Sequence, residues 1–91
     1  MQLLRSAAFV RAARKYLSKH PKAAAEMEFA LQLLSQNVFD ARLKTHKLKG
    51  EHAGSWACSA GYDLRIVFEF VAHEGAQAIL LQSIGSHEAV Y

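Results

Sequence analysis

Leu64-Arg65-Ile66-Val67-Phe68-Glu69-Phe70 (residues 64–70) decides the fold. Leu64, Ile66, Phe68 and Phe70 alternate with Arg65, Val67 and Glu69. Successive side chains of a strand point to opposite sides, so this period of two predicts a strand with one buried face. The even-numbered residues face the core, which leaves Arg65 on the open side. The flanking segments fit the same sheet. Upstream, Trp56, Cys58 and Ala60 alternate with Ser55, Ala57 and Ser59, and Gly61-Tyr62 supplies a turn. Downstream, His73-Glu74-Gly75 predicts the next turn. Residues 78–84 are apolar on both parities, as expected of a central strand covered on both faces. Leu43 to Leu48 is a short extended candidate closed by Gly50, residues 51–54 form a loop, and Met1 to Leu4 is a candidate edge strand.

Towards the N-terminus the period changes. Phe9, Ala12, Ala13, Tyr16 and Leu17 recur at helical spacing, with Arg11, Arg14, Lys15 and Lys19 on the other side. Ser6 suits the N-cap. Pro21, the only proline, marks the first turn of a second helix. Met27, Ala30, Leu31 and Leu34 form that helix's apolar stripe, and Asn37 is a suitable stop because it tolerates a left-handed backbone. The pattern predicts an α+β domain, an N-terminal helical hairpin packed on a three- to four-stranded antiparallel sheet. One sheet face is covered by the helices and the other is left as a working surface.

At 91 residues the chain makes one domain, residues 1–91. The 52% share of apolar residues argues against disorder. The apolar runs fall short of the ~20 residues needed to cross a bilayer. The start, Met1 to Arg5, has no basic region ahead of its apolar residues, which argues against a signal peptide. Cys58 is the single cysteine, so no internal disulfide forms and a cytoplasmic setting is expected, without a membrane role. No His, Cys or Asp pair has metal-ligand spacing, so no metal and no cofactor is expected.

The net charge of +3 is unevenly spread. Residues 1–25 carry Arg5, Arg11, Arg14, Lys15, Lys19 and Lys22 and no acid. A second block, Arg42, Lys44, Lys47 and Lys49, surrounds His46. Such clusters suit a polyanion or an acidic protein partner, although a solvated helix face explains the first equally well. Further candidates are Asp63 in the strand turn and the pair His87 and Tyr91 beyond the last apolar run.

Those parts suffice for RNA cleavage without a metal. RNA carries its own nucleophile, the 2′-hydroxyl. The reaction needs a base for that proton, a cation for the charge on phosphorus, and an acid for the 5′-oxygen. Histidine serves as acid or base near neutral pH. Arginine and lysine stabilise the phosphate charge, and an aromatic ring stacks an unpaired base. His46, Asp63, Arg65 and His87 are the candidate catalytic residues. Lys44, Lys47, Lys49 and Tyr91 are the candidate RNA-binding residues. Plainer roles stand beside these: Asp63 as an ordinary turn residue, Arg65 as the partner of Glu69 or Glu88, and Tyr91 as a plug at the sheet end. Trp56 suits the core, and Cys58 suits it as a small apolar residue.

The order of motifs resembles a known family. His46-Lys47-Leu48-Lys49-Gly50, Trp56, Gly61-Tyr62-Asp63-Leu64-Arg65-Ile66-Val67-Phe68, and Ile84-Gly85-Ser86-His87 with Tyr91 are similar to the RelE/ParE superfamily. These are toxins of type II toxin–antitoxin systems, and the likeness is to the YafQ-like branch in particular. It covers essentially the whole chain. It implies two helices on a curved antiparallel sheet. It also implies a bacterial endoribonuclease that cuts messenger RNA in the ribosomal A site. His46 then matches the histidine of the H-x-L-x-G segment, Asp63 the acidic site position, His87 the C-terminal histidine, and Tyr91 the terminal aromatic. Ser59 departs from the pattern, since that branch carries a histidine there and others an arginine; Arg65 on the next strand can supply the charge. The implied partners are messenger RNA, the ribosome and an antitoxin whose acidic, partly disordered tail folds on binding into a toxin–antitoxin hetero-oligomer. Two other readings share the fold: a non-catalytic ParE-like toxin that binds DNA gyrase, and a decayed toxin that keeps only its antitoxin-binding surface. His46 and His87 favour cleavage, because the non-catalytic branch does not require them.

Overall fold

The computed structural model describes residues 1–61 and 63–86. Seven main elements follow in order: β1 (Leu3–Arg5), α1 (Ala7–Lys19), α2 (Ala24–Gln36), β2 (His46–Lys47), β3 (Trp56–Ala60), β4 (Leu64–His73) and β5 (Ala76–Ser86). Short 3-10 turns lie at Pro21–Ala23, Ala41–Leu43 and Gly50–His52.

The helices form where capping and pattern agree. The Ser6 hydroxyl accepts from the Phe9 amide at 3.0 Å, satisfying a donor that the first turn of α1 leaves open. Pro21 opens the 3-10 turn that leads into α2. Asn37 ends α2, but not in a left-handed conformation. Its backbone is extended, and its side-chain oxygen accepts from the Phe39 amide at 3.2 Å, so it stops the helix by a local turn.

The sheet order is β1-β5-β4-β3-β2. β3, β4 and β5 form the expected antiparallel meander. The sheet has five strands and is mixed rather than purely antiparallel, because β1 pairs parallel with β5. The expected strand from Leu43 to Leu48 shrinks to His46–Lys47, because Asp40 caps a 3-10 turn that takes Leu43 into the core. β5 is interior to the sheet, and its double-parity apolar run has two causes. Ala78 is buried on the face away from the helices. The register between β4 and β5 also slips at Val67/Phe68, so the inward set runs Ile79, Leu81 and then Ile84.

The core lies between the helices and the even-numbered side chains of β3 and β4. Phe9, Leu34, Leu43, Cys58, Ile66, Phe68, Ile79 and Leu81 are all buried there. α1 lies over β5 and α2 over β3. Trp56 packs at the margin of this core, edge-on to Phe70 and Phe39. Burial pushes the Cys58 thiol up to about 12, against a smaller opposing effect of the Arg65 charge, so it stays protonated and packs as an apolar group. Among the described residues no helix is long and apolar enough to cross a membrane.

Candidate functional site

Register places the site. Directly paired residues on neighbouring strands present their side chains to the same side of the sheet. His46, Ala57, Val67 and Ser83 form one such row, and Ser59, Arg65 and Gly85 form the next on the same side. That side is the one turned away from the helices, since Cys58, Ile66 and Ile84 lie in the core. Strand spacing and rise put the Cα atoms of His46 and Arg65 about 12 Å apart. Arg65 stands directly across from Ser59, and Gly85 on its other flank adds no side chain.

His46 is exposed, and its Nδ1 lies 3.0 Å from the Lys44 carbonyl oxygen. A neutral ring that donates from Nδ1 to that carbonyl carries its lone pair on Nε2. The segment leading to it is anchored where the Thr45 hydroxyl donates to the Val38 carbonyl at 2.6 Å. Lys44 adopts a left-handed backbone, φ 51°, on leaving the 3-10 turn, and is exposed, as is Lys49.

Asp63 sits exposed in the turn between β3 and β4. It approaches α1 closely enough to act on Tyr16. Burial first, then the charges of Asp63 and Glu26, holds the Tyr16 phenol above its usual range. Arg65 is half-buried, and its guanidinium donates to the Leu64 carbonyl at 3.2 Å.

Lys47 does not join this group. It pairs with Trp56, which faces the helix side, and its ammonium lies 5.4 Å from the Trp56 ring centre. Adjacent strand residues point to opposite faces, so Lys47 and His46 part company. His87 and Tyr91 lie outside the described residues, as does Tyr62; β5 runs to Ser86, paired with Leu64. Among the described residues no three His, Cys, Asp or Glu side chains come together as a metal would require.

A groove of about 580 Å³ lies between α2, the Ala41–Leu43 turn and the end of β3, and sequence reasoning missed it. Glu26, Phe29, Arg42, Lys44, Ser59 and Arg65 line it. Arg42 is held there by Asp40, donating from Nε at 3.0 Å and from Nη2 at 2.9 Å. These bonds hold the Asp40 carboxyl down at about 2. The Arg42 guanidinium lies 5.5 Å from the Phe29 ring centre. The one signal in the sequence was the close Asp40-x-Arg42 spacing.

Residues 1–91 match a family described as the bacterial toxin of type II toxin–antitoxin system, YafQ. No curated protein sequence matches significantly. Solved structures share the fold. YafQ from E. coli strain BL21(DE3) superposes with a TM-score of 0.79 at 16% identity, covering 99% of this chain and 97% of its own. A YoeB/ParE toxin from Agrobacterium tumefaciens gives 0.74 at 16% identity, with 96% and 99% covered. A chain of the E. coli DinJ–YafQ complex gives 0.71 at 17% identity, with 99% and 97% covered.

Proposed function

The chain belongs to the YafQ family of bacterial type II toxin–antitoxin toxins, and from that membership we propose that it is a messenger RNA endoribonuclease acting on the ribosome. The observation that carries the proposal is the sheet face turned away from the helices. His46 and Arg65 share it, and Arg65 stands opposite Ser59, where it can supply the charge that Ser59 lacks.

His46 takes the 2′-hydroxyl proton at Nε2, the ring atom left with a lone pair by the bond to Lys44. The 2′-oxygen attacks phosphorus and the bond to the 5′-oxygen breaks. Arg65 stabilises the charge that grows on the phosphate oxygens. His87 returns a proton to the departing 5′-oxygen, Asp63 holds a protonated imidazole in place, and Tyr91 stacks a base. Lys44 and Lys49 hold the backbone. No cofactor is needed, because the substrate brings its own nucleophile. The setting is the cytoplasm, where ribosomes are. The DinJ–YafQ toxin–antitoxin complex supports an antitoxin partner for this chain too. Its acidic, partly disordered tail would order against the basic surfaces of α1 and the Arg42 to Lys49 segment.

The test is induced expression with mapping of messenger 5′ ends on ribosomes. Wild type is expected to create new ends, and His46→Ala and His87→Ala each to reduce them about 100-fold or more, the usual worth of a proton-transfer group. Wild-type cleavage by both variants would overturn the proton-transfer roles of these histidines.

A further inference from the structure

The groove beside Ser59 holds groups that the cleavage step does not use. We infer that it is a subsite for one unstacked nucleotide of the RNA, and that Glu26 selects guanine there. This rests on the RNA-cleaving reading and adds to it a base preference and the residue that sets it.

The size fits: about 580 Å³ falls within the roughly 300–1,000 Å³ of small-ligand sites. One side opens on Ser59 and Arg65, which pair directly across β3 and β4. Lys44 supplies a cation for a flanking phosphate. Phe29 is 51% exposed, unusual for a phenylalanine on an otherwise well-packed helix. With Arg42 over it, the pair offers planar faces of the kind on which splayed RNA bases stack. Asp40 holds the Arg42 fork with both carboxylate oxygens, so the plane is set before a base arrives.

Glu26 lines the groove too. Its carboxylate lies against Gly61, in the space a Cβ at that residue would occupy, and Gly61 adopts a φ of +67° that favours glycine. An ionised carboxylate offers two acceptors and no donor. Guanine is the base whose Watson–Crick edge presents two adjacent donors, N1–H and the 2-amino group. Adenine and cytosine set a ring acceptor beside their amino group, and uracil sets carbonyls on both sides of its N–H. The carboxylate repels those acceptors and matches guanine alone.

The experiment adds purified toxin to a purified translation reaction programmed with an mRNA library randomised around the A-site codon. Cut ends are mapped for wild type and for Glu26→Gln. The readout is the ratio of cutting at sites with guanine, at one fixed position within two nucleotides of the cut, to sites with other bases. Wild type is expected to show a ratio of about tenfold or more, in keeping with bidentate base contacts. Glu26→Gln is expected to bring it within about twofold. A variant that cuts all sites more slowly but keeps the ratio would overturn the inference, because that is a structural effect. Wild-type cutting with no fixed guanine would overturn it while leaving the RNA-cleaving reading intact. Absence of any wild-type cutting would overturn that reading itself.

Discussion

Arg65→Gln is expected to lower messenger cleavage on programmed ribosomes by about 100-fold or more, while the protein still melts as a folded domain. Removing one donor aimed at a developing oxyanion typically costs a factor of ~10²–10³ in kcat. Arg65 is the described cation placed on the His46 face within a strand, where its backbone cannot drift. Glutamine keeps the polar stem and a donor, so the half-buried site stays solvated and packed. Arg65→Lys restores charge but not the planar fork, and falls between the two. Single-turnover rates at saturating toxin separate this loss from weaker binding. A wild-type rate for Arg65→Gln, with an unchanged melting temperature, would remove Arg65 from the chemistry.

Phe68→Ala destabilises the fold by about 3–5 kcal/mol, the range for deleting a large buried aromatic. Phe68 is fully buried in the middle of β4, edge-on to Phe70 at 5.7 Å, in the same cluster as Phe9, Leu34 and Leu81. A domain of this size holds about 5–14 kcal/mol in total, so the variant loses a large share of its stability. Urea titration reads the loss as a lower midpoint with little change in slope. Phe39→Ala makes the comparison: Phe39 is 62% exposed, so its ring is only partly removed from water and truncation costs far less. A Phe68→Ala loss below about 1 kcal/mol would contradict the packing of Phe68 between the helices and the sheet.

Much of this fold was legible because one face of the sheet is buried. Alternation over Leu64 to Phe70 told strand from helix and sent Arg65 to the face away from the helices, where Val67 is nevertheless buried. Ser6 marked the start of α1 because capping is a local effect, whereas Pro21 opened a 3-10 turn ahead of α2 rather than the helix itself. The misses have a common source, which is that pairing is not local. The parallel partnership of Leu3–Arg5 with β5 depends on where the chain returns after both helices. The slip between Val67 and Phe68 changes the inward parity of β5 and cannot be read from a strand that is apolar on both sides. Leu43 left the expected strand because Asp40 captured the next turn.

The candidate site followed the same division. His46 and Arg65 share a face through strand register. Lys47 was grouped with His46 by its place in the chain, yet its neighbour relation in a strand sends it to Trp56. The Glu26–Phe29–Arg42 groove joins α2, a 3-10 turn and the end of β3, segments whose meeting no periodicity announces. Ser59 looked like a gap in sequence; in the sheet it lies directly opposite Arg65.

The most direct measurement uses two messengers on programmed ribosomes, identical except for a 2′-deoxynucleotide at the cut position. Catalysis by this face through the substrate's own hydroxyl predicts that purified toxin cuts the all-ribose messenger. The products would be a 2′,3′-cyclic phosphate upstream and a 5′-hydroxyl downstream, with the deoxy-substituted messenger left intact. Equal cutting of both messengers, or two intact messengers together with inhibition of DNA gyrase supercoiling by the same preparation, would contradict it.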